Sequence, residues 1–188
     1  MVKATNLKLV SMRKIVYYVA SSLDGYIAGP NESIDGFVTG GAGVEQYLQD
    51  LQAFEVAIMG RNTYEFGYRF GMQPGQAPYP HMQHYIFSNS LVLHDPAPNI
   101  HIQALDVAFI QKLKQSPGGD IYLCGGGLFA GWLLDHELID ILKIKLNPLI
   151  LGQGVRLFGH SNKAVQPKLI EQSSYDQGLQ ILTYQLVY

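Results

Sequence analysis

Short apolar runs that stop at glycine, each followed by a segment with helical spacing, restrict the fold of this chain more than any other feature. Ile15-Val16-Tyr17-Tyr18-Val19-Ala20 leads into the turn-rich stretch Ser22 to Pro30, and Val56-Ala57-Ile58-Met59 stops at Gly60. Ile121-Tyr122-Leu123-Cys124 runs straight into Gly125-Gly126-Gly127. Runs of β-branched and aromatic residues bounded by turn formers read as buried strands. Between them, apolar residues at 44, 47, 48, 51 and 54 predict a helix over 44–54 with one buried face. Further helices are expected over 61–70, with Asn62 or Thr63 as N-cap, over 107–113 after the N-cap Asp106, and over 128–134. Short strands are expected at 84–87 and 100–102.

After residue 138 the pattern changes. Residues 139–146 alternate, with Lys143 and Lys145 on one face and Leu142, Ile144 and Leu146 on the other. Residues 168–170 and 179–187 read as paired strands joined through Asp176-Gln177-Gly178. Strand–helix alternation followed by strands alone implies an α/β fold with a mostly parallel central sheet and antiparallel C-terminal edge strands.

The 188 residues fit one domain. A second methionine, Met12, directly precedes Arg13-Lys14, so residues 1–11 are expected to be an extension and 12–188 the domain. Net charge is -2 and Lys/Arg do not cluster, which argues against a nucleic-acid partner. Cys124 is the single cysteine, excluding an intrachain disulfide and a Cys-based zinc cluster. No i, i+4 pair among His81, His84, His94, His101, His136 and His160 suggests a metal site, so none is expected. No apolar run is long enough for a bilayer, and Met1 to Val10 is too short and polar for a signal peptide. A cytoplasmic protein without a membrane partner is expected. Charged residues make up 15% of the chain, below the usual quarter, which fits a homodimer or a monomer with a neutral polar surface.

In open α/β sheets, ligands bind beyond the carboxyl ends of the strands, and the candidate residues fall there. Gly60-Arg61-Asn62-Thr63 puts a cation and a hydroxyl at a helix start, which suits a phosphate and equally reads as an ordinary helix cap. Gly125-Gly126-Gly127 lets backbone approach a pyrophosphate, or makes a tight turn. It is not the G-x-G-x-x-G dinucleotide fingerprint. Within Ser22-Leu23-Asp24-Gly25, Asp24 is either a proton donor or the shaper of an Asp-Gly turn. Ser88-Asn89 caps a loop or donates to a nucleotide.

The order of these motifs is more specific than any one of them. Ser-Leu-Asp-Gly-Tyr-Ile-Ala at 22–28 is followed by Ile-Met-Gly-Arg-Asn-Thr-Tyr-Glu at 58–65 and Phe-Ser-Asn-Ser at 87–90. Ile-Tyr-Leu-Cys-Gly-Gly-Gly at 121–127, Leu138-Ile139-Asp140 and Asn147 to Phe158 complete the series. Over residues 13–188 the chain resembles the dihydrofolate-reductase-like family that includes the reductase domain of the bifunctional riboflavin-biosynthesis deaminase–reductase, in particular its stand-alone bacterial members.

The resemblance implies a three-layer fold with helices on both faces of the sheet, a homodimer, and NADPH as cofactor. It implies that Arg61 and Thr63, within Gly60 to Thr63, hold the 2′-phosphate with Ser88 and Asn89 beside them. Gly125, Gly126 and Gly127, followed by Leu128, would cradle the pyrophosphate. Asp24 would border the nicotinamide as proton donor, and Ser22, Glu45 and Pro148 would line the substrate side. The riboflavin enzyme usually has Lys where Tyr17 and Tyr18 stand, Arg where Gln52 stands, and an acidic residue where Cys124 stands. The deaminase motif H-x-E with P-C-x-x-C is absent. The expected activity is hydride transfer from NADPH to a small heterocyclic, carbonyl or imine acceptor. The alternatives are a 5-amino-6-(5-phosphoribosylamino)uracil reductase and, from another class, a non-catalytic nucleotide-binding paralogue.

Overall fold

A computed structural model describes residues 12–188; the extension expected over residues 1–11 lies outside them. The chain runs β1 (Ile15–Ser21), β2 (Tyr26–Ala28), α1 (Ala42–Leu51), β3 (Val56–Gly60), α2 (Arg61–Phe66), β4 (Gln83–Phe87) and β5 (Ile100–Gln103). It continues through α3 (Val107–Gln115), β6 (Ile121–Gly125), α4 (Gly127–Asp135), β7 (Ile141–Leu146), β8 (Val155–Arg156), β9 (Lys168–Ser174) and β10 (Gln180–Gln185).

Eight strands form one sheet in the order β5-β4-β3-β6-β1-β7-β10-β9. The first six strands of that order pair in parallel, and β10 and β9 add an antiparallel edge. This is the expected dihydrofolate-reductase-like architecture. Among the described residues, no helix is long and apolar enough to cross a membrane.

Helices cover both faces, so the parallel strands are buried on two sides and read as continuous apolar runs. Alternation along β1 divides the core. Ile15 and Tyr17 pack with Ile110 and Leu113 of α3 and with Phe129, Ala130 and Leu133 of α4. Val16 and Tyr18 pack with Leu51 of α1 and Tyr64 of α2.

Several local expectations change. The helix expected over 61–70 stops as an α-helix at Phe66 and tightens into a 3₁₀ turn over Gly67–Phe70. A side chain at Gly67 would meet Met72 Cε at 2.7 Å, so Met72 folds back over this turn. The N-cap of α2 is Gly60, not Asn62 or Thr63, because the strand runs directly into the helix and no side chain caps it. Helix α1 begins at Ala42 and ends at Leu51, ahead of the expected 54. Asp106 does cap α3, its Oδ1 accepting from the Ala108 amide at 2.9 Å. The segment read as turns after β1 hides β2, which pairs with β8 in a separate two-stranded ribbon.

The β1–β6 ladder ends at Tyr17–Leu123, whereas the β1–β7 ladder continues to Ser21–Leu146. At the same level β6 bulges: Ile58 pairs with Leu123 but Met59 with Gly125, which leaves Cys124 out of the β3 pairing. The two central strands therefore part at their carboxyl ends.

Candidate active site

Beyond the last β1–β6 pair, the next helix after β1 is α1 on one face of the sheet, and the next after β6 is α4 on the other. Such a reversal between neighbouring strands opens a crevice, the usual ligand position in open α/β sheets.

Two of the sequence motifs meet at this crevice. A side chain on Gly126 would come within 2.8 Å of Thr63 Oγ1, and one on Gly125 within 3.7 Å. The β3–α2 turn and the β6–α4 turn are thus in contact, although 62 positions separate Thr63 from Gly125. The Gly125–Gly126 peptide is cis, and Gly126 is the N-cap of α4. No side chain caps that nine-residue helix, so its first-turn amides stay available to an anion. Leu128, 59% exposed, follows at the helix start.

Arg61 Nε donates to Glu65 Oε1 at 2.9 Å and Nη1 to Ser90 Oγ at 3.0 Å. The side chain is 42% exposed, so the guanidinium still faces solvent at the strand ends. The Ser90 contact joins α2 to the loop after β4. Ser88 Oγ accepts from the Ser90 and Leu91 amides at 3.1 and 2.9 Å, which shapes that loop and leaves the hydroxyl proton to donate elsewhere. Asn89 and Asn62 are exposed. Because α2 has only six residues, positive charge here comes from Arg61 and not from a helix dipole.

Gly127 has a different use. A Cβ there would lie 2.1 Å from the Arg156 carbonyl oxygen, and one on Gly131 would lie 2.3 Å from that of Phe158. Both glycines let backbone 156–158 lie flat on α4. The missing side chain of Gly127 therefore serves packing, while its amide belongs to the uncapped first turn of α4.

Asp24 is exposed, yet its carboxylate is fully engaged. It accepts from Ser22 Oγ at 2.6 Å, from the Leu151 amide at 3.1 and 3.2 Å, and from the Gly152 amide at 2.6 Å. The Ser22 hydroxyl foremost, with the two loop amides, holds the carboxyl down at about 2. A group ionised at neutral pH has no proton to give, which does not suit the donor role expected of Asp24. The geometry makes it a clamp between the turn after β1 and the 147–154 loop. Ser22 is buried in that clamp, accepting from the Tyr26 amide at 2.9 Å. Glu45 and Pro148 are exposed at the start of α1 and just after β7.

Sequence reasoning missed a hydroxyl–thiol cluster on the α1 face. Tyr47 and Tyr122 share a 2.8 Å hydrogen bond between hydroxyls, and Tyr79 OH lies 3.7 Å from Cys124 Sγ. Burial keeps the Tyr122 and Cys124 protons on, and pushes Tyr47 up to about 12. The neighbouring Cys124, together with burial, also raises the Tyr79 hydroxyl well above the ordinary tyrosine range. The cluster is neutral at physiological pH and presents donors beside the crevice. Two surface hollows lie apart from it, one lined by Gln46, Asp50, Lys143 and Glu171, the other by Gly67, Phe70 and Met72. Neither contains the convergence of cation, hydroxyl and open helix start that marks the crevice.

Residues 13–181 match the family described as the RibD C-terminal domain. The uncharacterised protein YwjB of Bacillus subtilis (strain 168) is 30% identical over 173 residues, spanning 90% of this chain and 96% of YwjB. A structure described as a riboflavin biosynthesis protein from Shewanella sp. PV-4 superposes with a TM-score of 0.76 at 24% identity, covering 94% of this chain and all of that one. The Thermotoga maritima diaminohydroxyphosphoribosylaminopyrimidine deaminase/5-amino-6-(5-phosphoribosylamino)uracil reductase superposes at 0.69 with 15% identity; 94% of this chain covers 57% of that one.

Proposed function

Because the chain belongs to the RibD C-terminal domain family, we propose that it is an NADPH-dependent reductase acting on a C=N or C=O bond of a small heterocycle. The observation that carries the reading is the meeting of Arg61, Thr63 and the uncapped start of α4 where β1 and β6 part. These groups fit the cofactor: a fork of donors for a terminal phosphate, and open helix amides for a pyrophosphate.

In this reading Arg61 and Thr63 hold the 2′-phosphate, with Ser88 and Asn89 beside them. Gly125 and Gly126, with the amides of Gly127 and Leu128, take the pyrophosphate, and Gly60 opens the turn. When bound, NADPH supplies the hydride; the protein orients the partners and excludes water. Asp24 keeps the 147–154 loop against the turn after β1 and so closes the substrate side. The chain acts as a homodimer paired through β9, an edge strand on which Leu169 and Ile170 are 44% and 51% exposed. Light scattering at the mass of one chain would remove the dimer from the proposal.

Titration of the wild type and Arg61→Ala with NADPH and with NADH tests the cofactor assignment. A charged hydrogen bond is worth about 1.5–3 kcal/mol, so Arg61→Ala weakens NADPH binding by roughly 10- to 100-fold and leaves NADH binding nearly unchanged. Equal losses for both nucleotides, or no binding to the wild type, would count against the reading.

A further inference from the structure

Lys143 and Lys145 stand two residues apart on β7 and project to the same face, yet they meet different surroundings. Lys143 Nζ lies 2.6 Å from Asp50 Oδ2 and 4.7 Å from the centre of the Tyr18 ring. Lys145 is only 9% exposed, and its Nζ lies 5.0 Å from the centre of the Tyr47 ring. Among the described residues, no carboxylate pairs with it. An aromatic face compensates a buried ammonium only in part. Burial accordingly pushes the Lys145 amine below the ordinary lysine range.

Its position connects it to the crevice. Lys145 is opposite Ala20 on β1, beyond the point where the β1–β6 ladder ends. Ala20 is half-buried and small; it pairs with Lys145 on β7 and lies three residues past the last β1–β6 pair, Tyr17–Leu123. The opposite side of the crevice is filled. Tyr17 OH donates to the Leu157 carbonyl at 3.0 Å, the Phe158 ring meets the Tyr17 ring edge-on at 5.7 Å, and residues 156–158 lie on α4. A flat acceptor therefore reaches the crevice from the α1 face, across Ala20.

The geometry points to Lys145 as the proton donor of the reaction, acting on a flat heterocycle seated over Ala20 between the Tyr47–Lys145 side and the Tyr79–Cys124 side. This inference rests on the reductase reading above. Reduction of a C=N bond puts a hydride on carbon, supplied as NADPH becomes NADP+, and a proton on nitrogen. The new N–H bond forms as an Nζ–H bond of Lys145 breaks, leaving a neutral amine that regains its proton from water. Tyr47 faces Nζ from α1, while Ala20 and Ile181 stand opposite on β1 and β10. On its own strand the neighbouring cation, Lys143, is already neutralised by Asp50. With no anion held against it, the buried Lys145 ammonium gives up its proton more readily than an exposed lysine does.

The test is an NMR titration of the full chain carrying [13Cε]lysine, with Lys145 assigned by the signal lost in Lys145→Met. Lys145 should titrate at lower pH than the exposed Lys14, Lys112 and Lys168. With NADP+ bound, adding 7,8-dihydrobiopterin, a flat heterocycle with a C=N bond, should move its midpoint. A midpoint shared with the exposed lysines, or one the heterocycle leaves in place, overturns the assignment. In the kinetic arm, Lys145→Met should bind NADPH as the wild type does and oxidise it with 7,8-dihydrobiopterin about 100-fold more slowly. Lys145→Arg keeps the charge but not a releasable proton, and should not rescue the rate. An undiminished rate in Lys145→Met overturns the proposal, whereas failure of the wild type to bind NADPH would sink the reductase reading instead.

Discussion

On the α3/α4 face, β1 contributes Ile15 and Tyr17 to a core completed by Ile58, Leu123, Phe129 and Leu133. On the α1/α2 face, the same strand contributes Val16 and Tyr18 to a layer that also holds Tyr47, Tyr79, Tyr122 and Cys124. Lys143, Lys145 and Asp50 are set against that second layer. The first face is almost wholly apolar and tolerates close backbone contact, as at Gly127 and Gly131. The second keeps protons and charges beside the crevice at the cost of cohesion. One strand thus separates stability and chemistry by the parity of its residues.

The comparison can be broken most severely on the packed face. Gly127→Ala drives a methyl group into the Arg156 carbonyl, 2.1 Å away. Overpacking of this kind costs about 3 kcal/mol, to be read from chemical denaturation. A loss below ~1 kcal/mol would mean that the 156–158 backbone is held loosely, and the contrast between the faces would weaken.

On the polar face, Tyr122→Phe should cost only about 1 kcal/mol, the worth of one hydrogen bond, since it leaves Tyr47 OH without its 2.8 Å partner. If Tyr122→Phe proves as damaging as Gly127→Ala, the hydroxyl cluster is holding up the fold and not merely facing a ligand.

The smallest effect concerns the Asp24 clamp and appears only in acid. Its folded-state value, near 2, lies below that of a free aspartate, about 3.9. The clamp therefore contributes above the free value and is lost as pH falls through about 2. The Leu151 and Gly152 amide signals should move across that window in the wild type and lose this dependence in Asp24→Asn. Signals that shift instead near neutral pH would restore Asp24 as a proton carrier.

The sheet was legible because its strands are short, β-branched and stopped by glycines, and because a late change to strands alone signals an antiparallel edge. Boundaries were legible only where a side chain enforces them: Asp106 marks the start of α3, whereas α2 is begun by a bare glycine and ended by a backfolded methionine. Ladder edges leave no local signal, so the β2–β8 ribbon escaped notice. At the site, Arg61, Thr63 and the glycines could be picked out because they sit at strand ends. That Gly127 is committed to packing, and that Asp24 spends its carboxylate on two loop amides 127 and 128 positions away, are long-range facts. Lys143 and Lys145 were visible as a polar face of a strand. Only tertiary structure shows that this face turns inward, with a carboxylate for one lysine and an aromatic ring for the other.

The central claim is that a phosphorylated dinucleotide lies in the crevice between β1 and β6. Backbone amide NMR of the chain titrated with NADP+ tests it most directly. The account predicts shifts confined to Gly60–Thr63, Ser88–Ser90, Gly125–Leu128 and the parted ends of β1 and β6. Shifts centred on the hollow lined by Asp50, Lys143 and Glu171, or none at millimolar NADP+, would contradict it.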